Sequence, residues 1–256
     1  GTIETPIALT NTLGVGAAID GLRRWTLDQA GNQSVRSVNA LVGETNDGGL
    51  NDIRGQHVRP QHVIEALKAA TTGAVAEGSV GAGTGTQALG WKGGIGTASR
   101  KLAADQGGYT LGVIVQSNYG GVLTMGGAPV GQLLGRYAYQ PRPARQPQEG
   151  VASTHGVTFA EGGAANGDGS CMIVVATDAP IDARDLKRLA ARAIYGLART
   201  GSSYSNGSGD FAIAFSTAPD LRTRFGSGTP QARTLLPTDG VSPLFQAALE
   251  ATEEAV

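Results

Sequence analysis

One run of residues dominates the hydrophobic pattern of the chain: Cys171-Met172-Ile173-Val174-Val175 is apolar at every position. An uninterrupted run of this length is the mark of a strand buried on both faces. The run is preceded by Asn166-Gly167-Asp168-Gly169-Ser170, a polar, glycine-rich turn,. Ser170 therefore stands at the mouth of a core strand, and the residue before it has no side chain to shield its carbonyl. Three further strands are expected: Val35–Val42, Tyr109–Gln116 with Val122–Met125 as a hairpin partner, and Phe211–Phe215,. Apolar residues at helical spacing predict helices over Gly14–Gln29, over His62–Ala70 behind Pro60, over Leu186–Leu197 behind an Asp182 cap, and over Val241–Ala255,. Thr2–Leu13 reads as strand or loop. Tyr139–Asp168, with Pro141, Pro143 and Pro147 and no apolar periodicity, reads as a flexible excursion ending at Gly169–Ser170,. Strand–helix–strand–helix order in the last third points to strands backed by helices, an α/β or α+β layered fold.

Composition narrows the function. The 256 residues can bury one substantial core,. Twenty Lys and Arg stand against 21 Asp and Glu, with no basic stripe, so nucleic acid is not an expected partner,. No apolar run approaches a membrane span and no signal peptide is visible. The chain begins at Gly1 rather than Met, so its native start is expected upstream or processed. A cytoplasmic location is expected, with the periplasm as the alternative. One cysteine excludes an internal disulfide framework, and His57, His62 and His155 share no metal spacing; no metal or cofactor is expected,. Glycine is unusually abundant, 40 residues, while aromatic residues make up only 5%. The core must then be built from small aliphatic side chains with backbones in close approach.

Three glycine-rich or polar segments qualify that picture. Glu44–Asp52 reads, on composition alone, as a surface turn. Gly81-Ala82-Gly83-Thr84-Gly85 lacks the Gly-Lys-Ser/Thr closure of a phosphate loop and reads as close strand packing or a backbone-lined cleft,. Gly207-Ser208-Gly209 is a loop rather than a nucleophile elbow.

The chemistry gathers at Ser170. If the Gly169–Ser170 bond were cut, Ser170 would hold a hydroxyl nucleophile and a free α-amine as its own base. An α-amine titrates at about 7.7–8.0, so a useful fraction is neutral near pH 7. Ser208 and Asp210, two apart on a strand, share a face and can hold that amine and relay its proton. Asn118, at another strand end, can donate an amide N–H to an oxyanion. Cys171 opens an apolar strand and reads as a small core residue.

Glu44-Thr45-Asn46-Asp47-Gly48, Gly81-Ala82-Gly83-Thr84-Gly85, Val115-Gln116-Ser117-Asn118-Tyr119-Gly120, Asp168-Gly169-Ser170 and Gly207-Ser208-Gly209-Asp210 resemble, in order and spacing, the L-aminopeptidase/D-esterase and β-peptidyl aminopeptidase family. The resemblance runs along nearly the whole chain. It implies an α+β fold, a four-layer αββα sandwich like that of the N-terminal-nucleophile hydrolases. It also implies one catalytic domain, 1–256, that cleaves itself at Gly169–Ser170 into an α chain, 1–169, and a β chain, 170–256. By the same resemblance the nucleophile is Ser170, the second serine and the acidic residue are Ser208 and Asp210, and the oxyanion asparagine is Asn118. The expected activity is release of N-terminal residues from short peptides, amides or esters through an acyl-enzyme. Assembly into a homo-oligomer of αβ units is expected. The chain departs from the family at Gly49, where members commonly carry an aromatic residue, and members usually extend further at both ends. Two other readings remain. One is an ornithine acetyltransferase-like acyl transferase, against which Ser170 argues because those proteins normally use Thr at the cut. The other is a non-catalytic glycine-rich binding protein.

Overall fold

The computed structural model describes residues 2–140, 169–223 and 226–256. The expected excursion falls outside them from residue 141 on, as does His155.

The strands are β1 (Ile7–Asn11), β2 (Leu41–Thr45), β3 (Gln87–Ala88), β4 (Trp91–Lys92), β5 (Gly94–Lys101), β6 (Thr110–Asn118), β7 (Gly169–Thr177) and β8 (Ser208–Ser216). The helices are α1 (Val15–Leu27), α2 (Pro60–Ala69), the single turn α3 (Val130–Leu133), α4 (Ala183–Thr200) and α5 (Ser242–Ala255). β5, β6, β7 and β8 form one sheet in that order. The β5–β6 and β6–β7 pairs are antiparallel, and β7–β8 is parallel with α4 as its crossover. β1 and β2 pair in parallel across α1, and β3 and β4 form a small antiparallel pair. The architecture is α+β.

The faces of β7 explain its apolar run. Cys171, Ile173 and Val175 are buried against a core that includes Leu189, Ala193 and Leu197 of α4 and Leu244, Ala248 and Ala251 of α5. Alternate residues face the other way. There Met172 meets β2: a Cβ built at Gly43 would lie 3.1 Å from the Met172 sulfur. A strand covered on both sides has no use for polar residues, hence the unbroken apolar sequence. Full burial of each large aliphatic side chain contributes roughly 1.5–3 kcal/mol.

Glycine permits the closest approach. A Cβ at Gly96 would collide with the Ala255 carbonyl, so α5 lies almost directly on the backbone of β5. This is the close packing expected of a glycine-rich, aromatic-poor chain. The 81–85 segment behaves alike: a Cβ at Gly83 would come within 2.6 Å of both Gly78 O and Ile95 N.

Two local expectations are corrected, and one strand was not foreseen. The strand expected over Val35–Val42 begins only at Leu41, because its partner β1 begins opposite it at Ile7. Val122–Met125 does not pair with β6, whose neighbours are β5 and β7; instead Val122 and Thr124 donate their N–H groups to Gly201 and Thr200 at the end of α4. β5 itself, Gly-Ile-Gly-Thr-Ala-Ser-Arg-Lys, carries no apolar alternation and is recruited by its backbone ladder to β6.

Asp182 caps α4 as expected, accepting from the Asp185 N–H at 3.0 Å. Asp185 is buried and takes Arg188 Nη1 at 2.7 Å. Replacing Asp182 by Ala is expected to cost about 1 kcal/mol. A urea titration monitored by circular dichroism measures it, and an unchanged midpoint would show that the cap contributes nothing.

Candidate active site

Strand direction brings the candidate residues together. β6 runs antiparallel to β7, so its C-terminal end lies beside the N-terminal end of β7; β8 runs parallel to β7, so its N-terminal end lies there too. Asn118 is the last residue of β6, Gly169 and Ser170 open β7, and Ser208, Gly209 and Asp210 open β8. In register, Ser170 lies opposite Asn118 on one side and Gly209 on the other. The Ser170 hydroxyl faces the Gly209 N–H at 3.4 Å, a long contact. Gly207-Ser208-Gly209 is thus partly strand, since β8 begins at Ser208.

Register also sorts the side chains by face. Ser208 pairs with Gly169 and Asp210 with Cys171. Paired residues share a face and neighbours alternate, so Ser208 and Asp210 project toward α4 while the Ser170 side chain projects toward β1 and β2. The Ser208 hydroxyl donates to Asp210 Oδ1 at 2.9 Å. Burial raises the Asp210 pKa from its ordinary value, against the lowering effect of that bond and of the Cys171 N–H. The Ser170 hydroxyl and the Ser208–Asp210 pair thus lie on opposite sides of the sheet. The Ser170 nitrogen, in the plane of the sheet, stands between them.

Asn118 is held in one orientation. Its Oδ1 accepts from the Gln87 N–H at 2.9 Å, and its Nδ2 donates to Asn46 O at 2.8 Å. A backbone N–H can only donate and a carbonyl can only accept, so the amide has one sense. One Nδ2 hydrogen serves Asn46, and the second has no hydrogen-bond partner among the described residues.

Gly169 has φ +146°, and a Cβ there would collide with the Asn118 carbonyl. Only glycine enters β7 at that point without strain.

The surface-turn reading of Glu44–Asp52 misses two buried residues. Thr45 is fully buried and Asp47 is 5% exposed. Asp47 Oδ2 accepts from Asn51 Nδ2 at 2.9 Å and from Asn11 Nδ2 at 3.4 Å. The segment forms a wall of the site, with Asn46 O gripping Asn118. Its density of side-chain amides and carboxylates was the available signal, since such groups bond to nearby backbone and to one another. Gly49 lies on the same wall, where a Cβ would sit 3.2 Å from Gln87 Oε1. Beneath Asn118, the buried Gln116 donates through Nε2 to Thr45 Oγ1 at 2.8 Å and to Thr10 O at 3.0 Å.

The remaining candidates are Cys171, His57 and His62. Cys171 is fully buried, and burial, followed by the nearby Asp210, pushes its thiol pKa well up. A group so disfavoured as thiolate is a core residue. His62 Nδ1 accepts the Arg59 N–H at the start of α2, and His57 pairs with Asp52 at 3.3 Å on the surface.

The model of peptidase family S58 matches residues 1–256. The chain belongs to peptidase family S58. Beta-peptidyl aminopeptidase BapA of Sphingosinicella microcystinivorans is 43% identical over 263 residues, covering all of this chain and 62% of that protein. BapA of Sphingosinicella xenopeptidilytica is 35% identical over 259 residues, 98% of this chain and 60% of that protein. The S58 chain thus spans about three fifths of the curated relatives it matches. Among solved structures, a Burkholderia sp. beta-aminopeptidase aligns with TM-score 0.79 and 43% identity, over 98% of this chain and 65% of that one. An L-aminopeptidase D-Ala-esterase/amidase from Ochrobactrum anthropi, described as a new variant among the Ntn hydrolase fold, aligns with TM-score 0.79 and 36% identity, over 97% of this chain and 63% of that one.

The state of Asp210 makes a pH prediction. Its pKa is raised on folding, so its contribution to stability is fully present below the unfolded value near 3.9 and is lost as pH rises through the folded value. Asp210→Asn removes that loss. Urea midpoints are expected to favour the variant increasingly as pH rises from about 4 through the folded value, and a pH-independent difference would contradict the burial argument.

Proposed function

We propose that this S58 chain is a serine aminopeptidase that cuts its own Gly169–Ser170 bond and then uses the exposed serine as an N-terminal nucleophile. The observation that carries the reading is the register at the strand ends: Ser170 stands between Asn118 and Gly209, with the hydrogen-bonded Ser208–Asp210 pair on the neighbouring strand. In this reading, residues 1–256 act as one catalytic domain, divided into 1–169 and 170–256. Its elements are layered as α1 and α2, β1 and β2, the four-stranded sheet, then α4 and α5, a four-layer αββα sandwich. The contacts of β2 with β7 and of α4 and α5 with the large sheet support that layering. The names of the relatives support peptide, amide or ester substrates with a free N-terminus.

In the first stage the Ser170 hydroxyl attacks the Gly169 carbonyl. The carbon–nitrogen bond breaks, the acyl group passes to Oγ, and the Ser170 nitrogen takes the proton. Water then hydrolyses the ester, leaving a Gly169 carboxylate and a Ser170 bearing hydroxyl and amine. Gly169 suits this step because nothing on its Cα obstructs the carbonyl.

In the second stage the Ser170 amine accepts the hydroxyl proton as Oγ attacks the carbonyl of a substrate's first residue. The free Nδ2 hydrogen of Asn118 meets the developing oxyanion. The protonated amine gives its proton to the departing nitrogen, and water releases the acyl group by the reverse sequence. Asp210, steadied by Ser208, offsets positive charge on the amine from the far side of the sheet. The enzyme assembles as a homo-oligomer of αβ units. The mechanism draws on no cofactor.

Ser170→Ala is expected to run as one uncut chain on a denaturing gel and to lose at least about a thousandfold in kcat/KM on L-Ala, D-Ala and β-homoalanine p-nitroanilides. The unaltered protein is expected to give two masses, split at Gly169–Ser170. Two fragments from the variant would refute the proposal.

A further inference from the structure

Two walls of different character flank Ser170. The β6 side is polar: Asn118 is buried there, Gln87 and Asn46 bond to it through their backbones, and the buried Asp47 lies on the same wall as the exposed Asn46. On the β8 side stands Phe211, whose side chain is 67% exposed although it belongs to a strand of the main sheet. Phe211 pairs in register with Met172, two residues along from Ser170, and so shares its face,. A Cβ built at Gly209 would lie 3.2 Å from the Phe211 ring and 3.5 Å from Ser170 Oγ. The ring and the hydroxyl thus border the same point, and the missing side chain of Gly209 keeps the space between them open.

An exposed aromatic ring beside a candidate nucleophile has little structural use. Its contact area becomes useful when a ligand covers it. We infer that Phe211 is a specificity-determining residue that packs against the leaving group, favouring substrates with a large apolar side chain directly after the scissile bond. The assignment to the leaving-group side follows from the contrast between the buried Asn118 and Asp47 and the exposed Phe211. An aminopeptidase acylates with one residue bearing a charged amine, which suits the buried polar wall. The leaving chain has no fixed length and must run out to solvent, which is where Phe211 lies. The inference rests on the aminopeptidase reading given above.

The test compares the full chain with Phe211→Ala and Phe211→Leu. One substrate series fixes alanine first and varies the second residue, Ala-Gly-amide to Ala-Phe-amide. The other varies the first residue ahead of p-nitroaniline. kcat/KM is the right readout because it covers acylation, the step in which the leaving group is present. Phe211→Ala is expected to reduce the Ala-Phe to Ala-Gly preference roughly tenfold, with Phe211→Leu keeping most of it. First-residue preferences are expected to stay within about twofold of the unaltered protein, since that subsite keeps its walls. Because the ring is exposed, both variants are expected to keep the thermal midpoint. An equal fall on all substrates, or a change confined to first-residue preference, would overturn the assignment while leaving the aminopeptidase reading intact. An inert unaltered protein, or full activity in Ser170→Ala, would instead remove the aminopeptidase reading and this inference with it.

Discussion

The central sheet depends on the mixed pairing of β7, antiparallel to β6 and parallel to β8. Had all the pairs been antiparallel, Ser208 and Asp210 would lie at the end of the sheet far from Ser170. The parallel pair requires a crossover, and α4 supplies it while covering one face of the sheet with Leu189, Ala193 and Leu197,. One topological decision therefore supplies both a hydrophobic core and a meeting of three strand ends. The polar residues at that meeting are then tied by short-range bonds: Ser208 to Asp210, and Asn118 to the backbones of residues 46 and 87.

Separation by face gives this site its character. Side chains on one strand alternate, so Ser170 cannot share a face with both Asn118 and the Ser208–Asp210 pair at this register. The hydroxyl lies with the amide, and the carboxylate lies behind, desolvated and drawn toward its neutral form. In the proposed mechanism, a carboxylate in that position acts on charge across the backbone rather than as a direct partner of the hydroxyl.

The parts of the fold readable in the sequence were those with strong side-chain periodicity. β7 and α4 were legible because burial on both faces, or along one stripe, leaves an unmistakable pattern; Asp182 marked the start of α4 by its capping chemistry. β5 was not legible, since its residues serve close backbone packing against α5 and carry no alternation. Asp47 was hidden for a different reason: composition cannot distinguish a solvated Asn/Asp turn from one whose side chains bond inward to Asn11 and Asn51. At the candidate site, Ser170, Asn118, Ser208 and Asp210 could be named, because strand ends are marked by an abrupt change from polar to apolar. The division of those side chains between two faces depends on register, which only pairing with a neighbouring strand determines.

The placement of β6 between β5 and β7 has a consequence for the integrity of the molecule. β5 and β6 lie before Gly169, and β7 and β8 lie after it, so the two halves of the chain meet along the β6–β7 ladder. α5, from the second half, rests on β5 and β6 from the first. A break at Gly169–Ser170 would therefore leave two polypeptides whose common boundary is the hydrophobic core itself. Parting them would expose Leu111, Val113 and Val115 of β6 together with Ile173 and Val175 of β7.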